Sequence, residues 1–172
     1  MKMNLEYSIY IEKQNKVMYT IYCDMDGVLV DFEKGYKELT NITPAKTFDG
    51  RADFWEPINK AGAEWWATLD WMSDGQTLWS YIKKYKPNIL SAPSQDPSSR
   101  VGKEAWVKMH LKNSYNKLYL YSRANKKLFA GENRILIDDM QKTIDEWNAK
   151  GGIGIFHSSA ANTITELKKL GL

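Results

Sequence analysis

The sequence predicts an α/β fold in which a parallel sheet carries helices on both faces. Two observations support this. From residue 17 onward, short apolar runs alternate with segments of helical spacing, the pattern that strand–helix–strand units impose. Two of those runs, 17–23 and 134–137, lead straight into acidic pairs, Asp24/Asp26 and Asp138/Asp139. Ligands bind at the strand ends of an open α/β sheet, so carboxylates there point to chemistry.

Taken in order, Met3, Leu5, Tyr7, Ile9 and Ile11 alternate with mostly polar residues, which predicts a strand with one wet face. Gln14-Asn15-Lys16 reads as a turn. The run 17–23 is apolar at nearly every position, as a strand buried on both faces requires. A helix is expected over 31–40, then irregular chain over 41–53 around Pro44 and Gly50. An aromatic segment follows, with Phe54, Trp55, Trp65, Trp66, Trp71 and Trp79. A helix over 77–85 stops before Pro87. Asn88-Ile89-Leu90 is a short strand ending at Ser91, followed by a Ser/Pro-rich loop. The helix expected over 100–111 places Val101, Ala105 and Met109 on one face. Strands follow over 118–121 and 135–137. Ile144 and Trp147 mark the apolar face of the next helix, which Gly151-Gly152 stops. A last strand over 153–156 precedes a helix lined by Ile164, Leu167 and Leu170.

Composition narrows the function. The chain of 172 residues is long enough for one domain with a buried core and a small insertion. Its charge, 24 Lys and Arg against 21 Asp and Glu, is +3, too mild to indicate nucleic acid as a partner. The single cysteine, Cys23, cannot form an internal disulfide, which fits a reducing cytoplasm. No apolar stretch approaches the roughly 18 residues that span a bilayer, and the N-terminus lacks a signal-peptide core. A cytoplasmic protein without membrane contact is the expectation.

The acidic signals belong to a longer series. Asp24-Met25-Asp26-Gly27-Val28 follows the first buried strand, Ser91 ends the second, Lys127 lies upstream of the second acidic pair, and Ile137-Asp138-Asp139 ends a third strand. This order resembles the haloacid dehalogenase (HAD) superfamily of phosphotransfer enzymes. Within it, Phe54-Trp55, Ser91-Ala92-Pro93 and Lys103-Glu104-Ala105-Trp106-Val107 are similar to the 5'(3')-deoxyribonucleotidases, phage-type members included. The resemblance implies a three-layer, Rossmann-like parallel sheet as the catalytic core (17–31 and 86–172). It also implies a small, mostly helical cap inserted after the first strand (32–85). The extension 1–16 is not explained by it; covering a sheet edge or the cap, and pairing with a second copy in a homodimer, are the roles left open.

The resemblance also implies the chemistry. Asp24 is expected to attack phosphorus and form an aspartyl-phosphate, and Asp26 to protonate the leaving alkoxide and then deprotonate water. Ser91 is expected to donate to a phosphoryl oxygen, and Lys127 to neutralise nucleophile and phosphate. Mg²⁺ is the implied cofactor, held by Asp24, the backbone carbonyl of Asp26 and one of Asp138 or Asp139. Phe54, Trp55, Ala92 and Lys103 are the expected substrate contacts, and the substrate a small phosphomonoester, a nucleoside monophosphate first.

Simpler readings stand beside these. Asp-x-Asp-Gly occurs in calcium loops, but position 12 from Asp24 is Gly35, not the Glu of an EF-hand. Asp138-Asp139 has the character of a helix N-cap near Met140. Lys126 and Arg123 flank Lys127, and only one of these cations need face the site. The tryptophans have the makings of a cap core. Cys23 is expected to face the core, because strand side chains alternate. His110 and His157 show no metal-ligand spacing. Two rival functions are a 3'-phosphatase for nucleic-acid ends, which needs an open cleft, and an idle binding module.

Overall fold

The computed structural model describes residues 17–44 and 52–172. The strand expected over 3–11 lies outside them, as does the turn after it. The chain runs β1 (Thr20–Cys23), α1 (Phe32–Thr40), α2 (Ala52–Ala67), α3 (Gly75–Ile82), β2 (Asn88–Ser91), α4 (Ser98–His110) and β3 (Leu118–Leu120). It continues through β4 (Arg134–Asp138), α5 (Gln141–Asn148), β5 (Ile153–Phe156) and α6 (Ala160–Lys169). One-turn and two-turn 3₁₀ segments, Lys83–Tyr85 and Arg123–Phe129, follow α3 and β3. The five strands form one parallel sheet in the order β3-β2-β1-β4-β5. Among the described residues no helix is long and apolar enough to cross a membrane.

Strand alternation divides the core into two layers. Ile21, Cys23, Ile89, Ile135, Ile137 and Ile155 lie in one buried cluster with Leu78, Trp79 and Ile82 of α3, Trp106 and Val107 of α4, and Leu167 of α6. Tyr22, Leu90 and Leu136 form the other with Ile144 and Trp147 of α5. The sheet is therefore covered on both faces, and Cys23 faces the core as expected. Arg100 on α4 donates from Nη1 to the carbonyl of Leu120 on the edge strand β3.

Beyond β1 the chain reverses tightly. The amides of Val28, Leu29 and Val30 all bond to the Met25 carbonyl, and Gly27 N–H bonds to Val30 O. The chain then pairs with 70–72: Asp31 N–H meets Asp70 O and Met72 N–H meets Leu29 O. Between these two passes, α1 and α2 stand over the strand ends. Asp31 caps α1, its carboxylate accepting the Lys34 amide. A break at Gly62, whose φ is 70° and ψ −158°, kinks α2.

Part of the segment 32–85, expected as a cap, packs on the core. Tyr36, Phe54, Ile58 and Trp66 share the buried cluster of the strands, and α3 packs beside α6. The seam with α4 depends on Gly102. A Cβ there would sit 2.3 Å from Trp66 Cβ and 2.4 Å from the Ala63 carbonyl oxygen, closer than real contacts allow.

That seam also corrects the expected face of α4. Val101 and Met109 are each 60% exposed, while Gly102, Lys103, Trp106 and Val107 are buried. The apolar stripe read from the sequence faces water because α2 needs the glycine side for close approach.

Gly102→Ala is expected to force α2 and α4 apart and to cost about 2 kcal/mol. For a chain of this size that is a fall in Tm of roughly 4–8 °C, measurable by scanning calorimetry; an unchanged Tm would contradict the close seam.

Candidate active site

Parallel pairing brings the tips of β1, β4 and β5 to one edge. The Asp24 amide bonds to the Ile137 carbonyl, and the His157 amide to the Asp138 carbonyl. Asp24 is buried at that edge. Its Oδ1 accepts the Met25 amide at 2.7 Å, and its Oδ2 lies 2.6 Å from Lys126 Nζ. Asp138 is fully buried, with Oδ2 2.7 Å from the same ammonium and Oδ1 accepting the Met140 amide at 2.9 Å. That last bond makes a turn before α5 rather than a helix cap.

Asp24, Asp138 and Asp139 each offer a carboxylate oxygen within 4.8 Å of the others. Gly27 makes room for the third. It has φ +75°, and a Cβ on it would sit 2.3 Å from Asp139 Oδ2, so the turn needs glycine both for its backbone and for space.

The lysine at the centre is Lys126, 2% exposed, and not Lys127 as the sequence register implied. Lys127 is 37% exposed and pairs with Glu146 of α5 at 3.2 Å. Both lie in the 3₁₀ segment Arg123–Phe129, where successive side chains diverge by about a third of a turn. Once Lys126 points inward, its neighbour points out.

Asp26 stands beside this cluster but its carboxylate does not join the three. Its Oδ2 lies 2.6 Å from Lys103 Nζ, and its buried Oδ1 has no hydrogen-bond partner among the described residues. Lys103, expected to reach substrate, is instead 1% exposed. Its ammonium donates to Asp26 and, at 3.2 Å, to Ser91 Oγ, with the Trp66 ring 4.9 Å away. Ser91 is fully buried against Lys103 and is absent from the residues that line the cleft, whereas Ala92 is among them.

The cleft over these groups has a volume of about 1480 Å³. Asp24, Asp26, Lys126 and Asp139 lie on its lining, with Phe54, Trp55 and Trp66 on the overhang. Phe54 is itself packed, its ring stacked on Tyr36 at 4.4 Å and edge-on to Trp55 at 4.9 Å. His157, to which the sequence gave no role, also lines the cleft and holds Nδ1 2.8 Å from Thr163 Oγ1.

Charge is not balanced here. Among the described residues the three clustered carboxylates have one paired ammonium, Lys126 on Asp24 and Asp138, which leaves two negative charges in surplus when all three are ionised. Burial first, then repulsion by Asp24, pushes Asp138 up to about 6 and Asp139 up to about 7. Burial alone would pull Lys126 down, but Asp24 and Asp138 outweigh it and hold the lysine above its ordinary value. Burial also raises Asp26, against the pull of Lys103. The Cys23 thiol, pushed well up by burial and by Asp24, is no nucleophile. Hard oxygen donors with two surplus negative charges suit a divalent cation such as Mg²⁺.

No protein-family model and no curated protein matches the sequence. Solved structures do match. A HAD family enzyme from Bacteroides thetaiotaomicron, in a magnesium complex, is 17% identical over 90% of this chain and all of its own, with a TM-score of 0.54. The same enzyme with magnesium and inorganic phosphate matches at 16% identity, over 83% and 95% of the two chains, with a TM-score of 0.51. The fold is HAD-like. A hydrolase from Streptococcus pneumoniae TIGR4 is 14% identical over 88% of this chain and 99% of its own, with a TM-score of 0.53. In this HAD-like frame the acidic edge lies where the sequence motifs converge.

The raised carboxylates set a pH signature. In the folded protein Asp138 and Asp139 take up protons near 6 and 7, whereas in the unfolded chain they do so near the ordinary carboxylate value. The stability that protonation brings is therefore lost progressively as pH rises from the ordinary carboxylate range to about 6 for Asp138 and about 7 for Asp139. His110 and His157, lowered by burial, act oppositely below their ordinary value. In EDTA, Tm is expected to fall between about pH 5 and 7 relative to the same protein in Mg²⁺, the gap widening with pH and levelling off above about 7. Differential scanning fluorimetry reads this, and a pH-independent gap would contradict the linkage.

Proposed function

We propose that this protein is a Mg²⁺-dependent phosphomonoester hydrolase that works through an aspartyl-phosphate, with nucleoside monophosphates as its substrates. The observation that carries the reading is the pairing of Asp24 with Lys126 beside Asp138 and Asp139, on the lining of a cleft that also includes Asp26.

Asp24, Asp138 and Asp139 would hold the cation, with the Asp26 carbonyl as a further donor. Its chemistry there is to offset the negative charge that otherwise repels a phosphoryl dianion. Asp24, its carboxylate oriented by the Met25 amide and Lys126, attacks phosphorus as the bond to the leaving oxygen breaks. Asp26 gives that oxygen its proton. In the second half Asp26 takes a proton from water, whose oxygen attacks phosphorus and frees Asp24. Lys126 stabilises the charge shared between nucleophile and phosphoryl oxygens.

Phe54, Trp55 and Trp66 give the overhang flat apolar surface suited to a base, and the sequence resembles the 5'(3')-deoxyribonucleotidases at Phe54 and Trp55. The Bacteroides enzyme that shares the fold is described with magnesium and inorganic phosphate, which supports a phosphate-bearing substrate.

Asp24→Asn is expected to abolish phosphate release from both p-nitrophenyl phosphate and a nucleotide panel, with the circular dichroism spectrum unchanged. Retained turnover would exclude Asp24 as the nucleophile. A second pair separates the neighbouring lysines. Lys126→Met is expected to lower kcat by about 10²–10³-fold, while Lys127→Met stays within about twofold of the parent because it breaks only an exposed ion pair. Equal effects would mean that the lysine at the site has been misassigned.

A further inference from the structure

Lys103 is a buried ammonium whose partners are unusual. It lies on the inner face of α4, 1% exposed, and it is not on the cleft lining. Substrate phosphate therefore has no direct path to it. Its Nζ is shared between Asp26 Oδ2 at 2.6 Å and Ser91 Oγ at 3.2 Å, with the Trp66 ring of α2 closing over it. Gly102 lets α2 come close enough for that closure. An ammonium with a carboxylate on one side, a hydroxyl on another and a ring on a third has little freedom to move.

We propose that Lys103 is a positioning residue: it holds the Asp26 carboxyl through Oδ2 and so fixes how that group stands on the cleft lining relative to the leaving oxygen. Ser91 and Trp66 fix the lysine, and through Trp66 the docking of α2 on α4 sets where the proton donor stands. The inference rests on the phosphatase reading above and refines one step of it. In that step the Asp26 proton passes from a carboxyl oxygen to the leaving oxygen as its bond to phosphorus breaks. A carboxylate free to rotate would meet that oxygen in the right orientation only part of the time, and misplacement of about 1 Å costs on the order of 10²-fold.

Leaving-group dependence separates this role from a merely structural one. Lys103→Met keeps the length of the side chain and removes its charge. Hydrolysis of an alkyl phosphate, whose leaving oxygen needs the proton, is expected to slow by about 10²-fold or more. Hydrolysis of p-nitrophenyl phosphate, whose phenolate departs unprotonated, is expected to slow only a few-fold on the same scale. Adding Lys103→Met to Asp26→Asn should bring no further loss on the alkyl substrate, because the lysine acts through the acid already removed. Mg²⁺ affinity by titration calorimetry should match the parent, since Lys103 touches none of the three clustered carboxylates. Lys103→Gln, read in the same assays, covers a Met variant that does not fold. Equal losses on both substrates, additive with Asp26→Asn and with Asp24→Asn still inactive, would overturn the positioning role alone. Turnover that survives Asp24→Asn would overturn the phosphatase reading and this inference with it.

Discussion

Lys126 meets two of three clustered carboxylates, Asp24 and Asp138, and the acidic edge of the sheet is organised around it. Taking several like charges out of water is costly unless each finds compensation. Here the backbone does part of the work: the Met25 amide meets Asp24 and the Met140 amide meets Asp138. The remainder appears as the raised proton affinity of Asp138 and Asp139. The sheet holds the groups together regardless, because the bonds from Asp24 to Ile137 and from His157 to Asp138 tie three adjacent strand tips into one rim. The apolar clusters beneath thus keep in register a group of side chains that would otherwise separate.

Two lysines divide the labour at this rim. Lys126 arrives from the 3₁₀ segment after β3 and bridges Asp24 to Asp138; Lys103 arrives from α4 and takes Asp26. The two acids of the first motif, two residues apart in the chain, thus sit in different electrostatic surroundings. Asp24 lies between the Lys126 ammonium and the Met25 amide, while burial favours the proton on Asp26. Separate environments for the two carboxylates fit the roles proposed for them, Asp24 as nucleophile and Asp26 as general acid.

Much of this was legible beforehand. The central strands of a parallel sheet are buried on both faces, so β1, β2 and β4 read as continuous apolar runs, and the acids at their ends fell at one edge as soon as the strands were taken as parallel. Lys126 was harder. Nothing in the composition of Asn125-Lys126-Lys127-Leu128 sets the phase of a 3₁₀ turn, and a difference of one residue decides which lysine turns inward. The burial of Lys103 is hidden in the sequence for another reason. Hydropathy favours Val101, Ala105 and Met109, whereas the buried stripe contains a glycine and a lysine, which no apolar count would select. Only the close approach of α2, a contact between segments far apart in sequence, makes Gly102 and Lys103 interior. The tryptophans fell between the two: Trp66 both packs α2 and closes over Lys103.

Among the described residues β3 is an outer strand of the sheet, and this bears on how the molecule meets others. This strand is three residues long, and the outward carbonyl of Leu120 already accepts a guanidinium hydrogen from Arg100. Open strand borders invite another chain to continue the ladder, and brevity together with a basic side chain is how proteins discourage it. A crowded solution of this protein should therefore resist ribbon-like stacking along that flank, and recruitment by strand addition would have to look elsewhere on the surface.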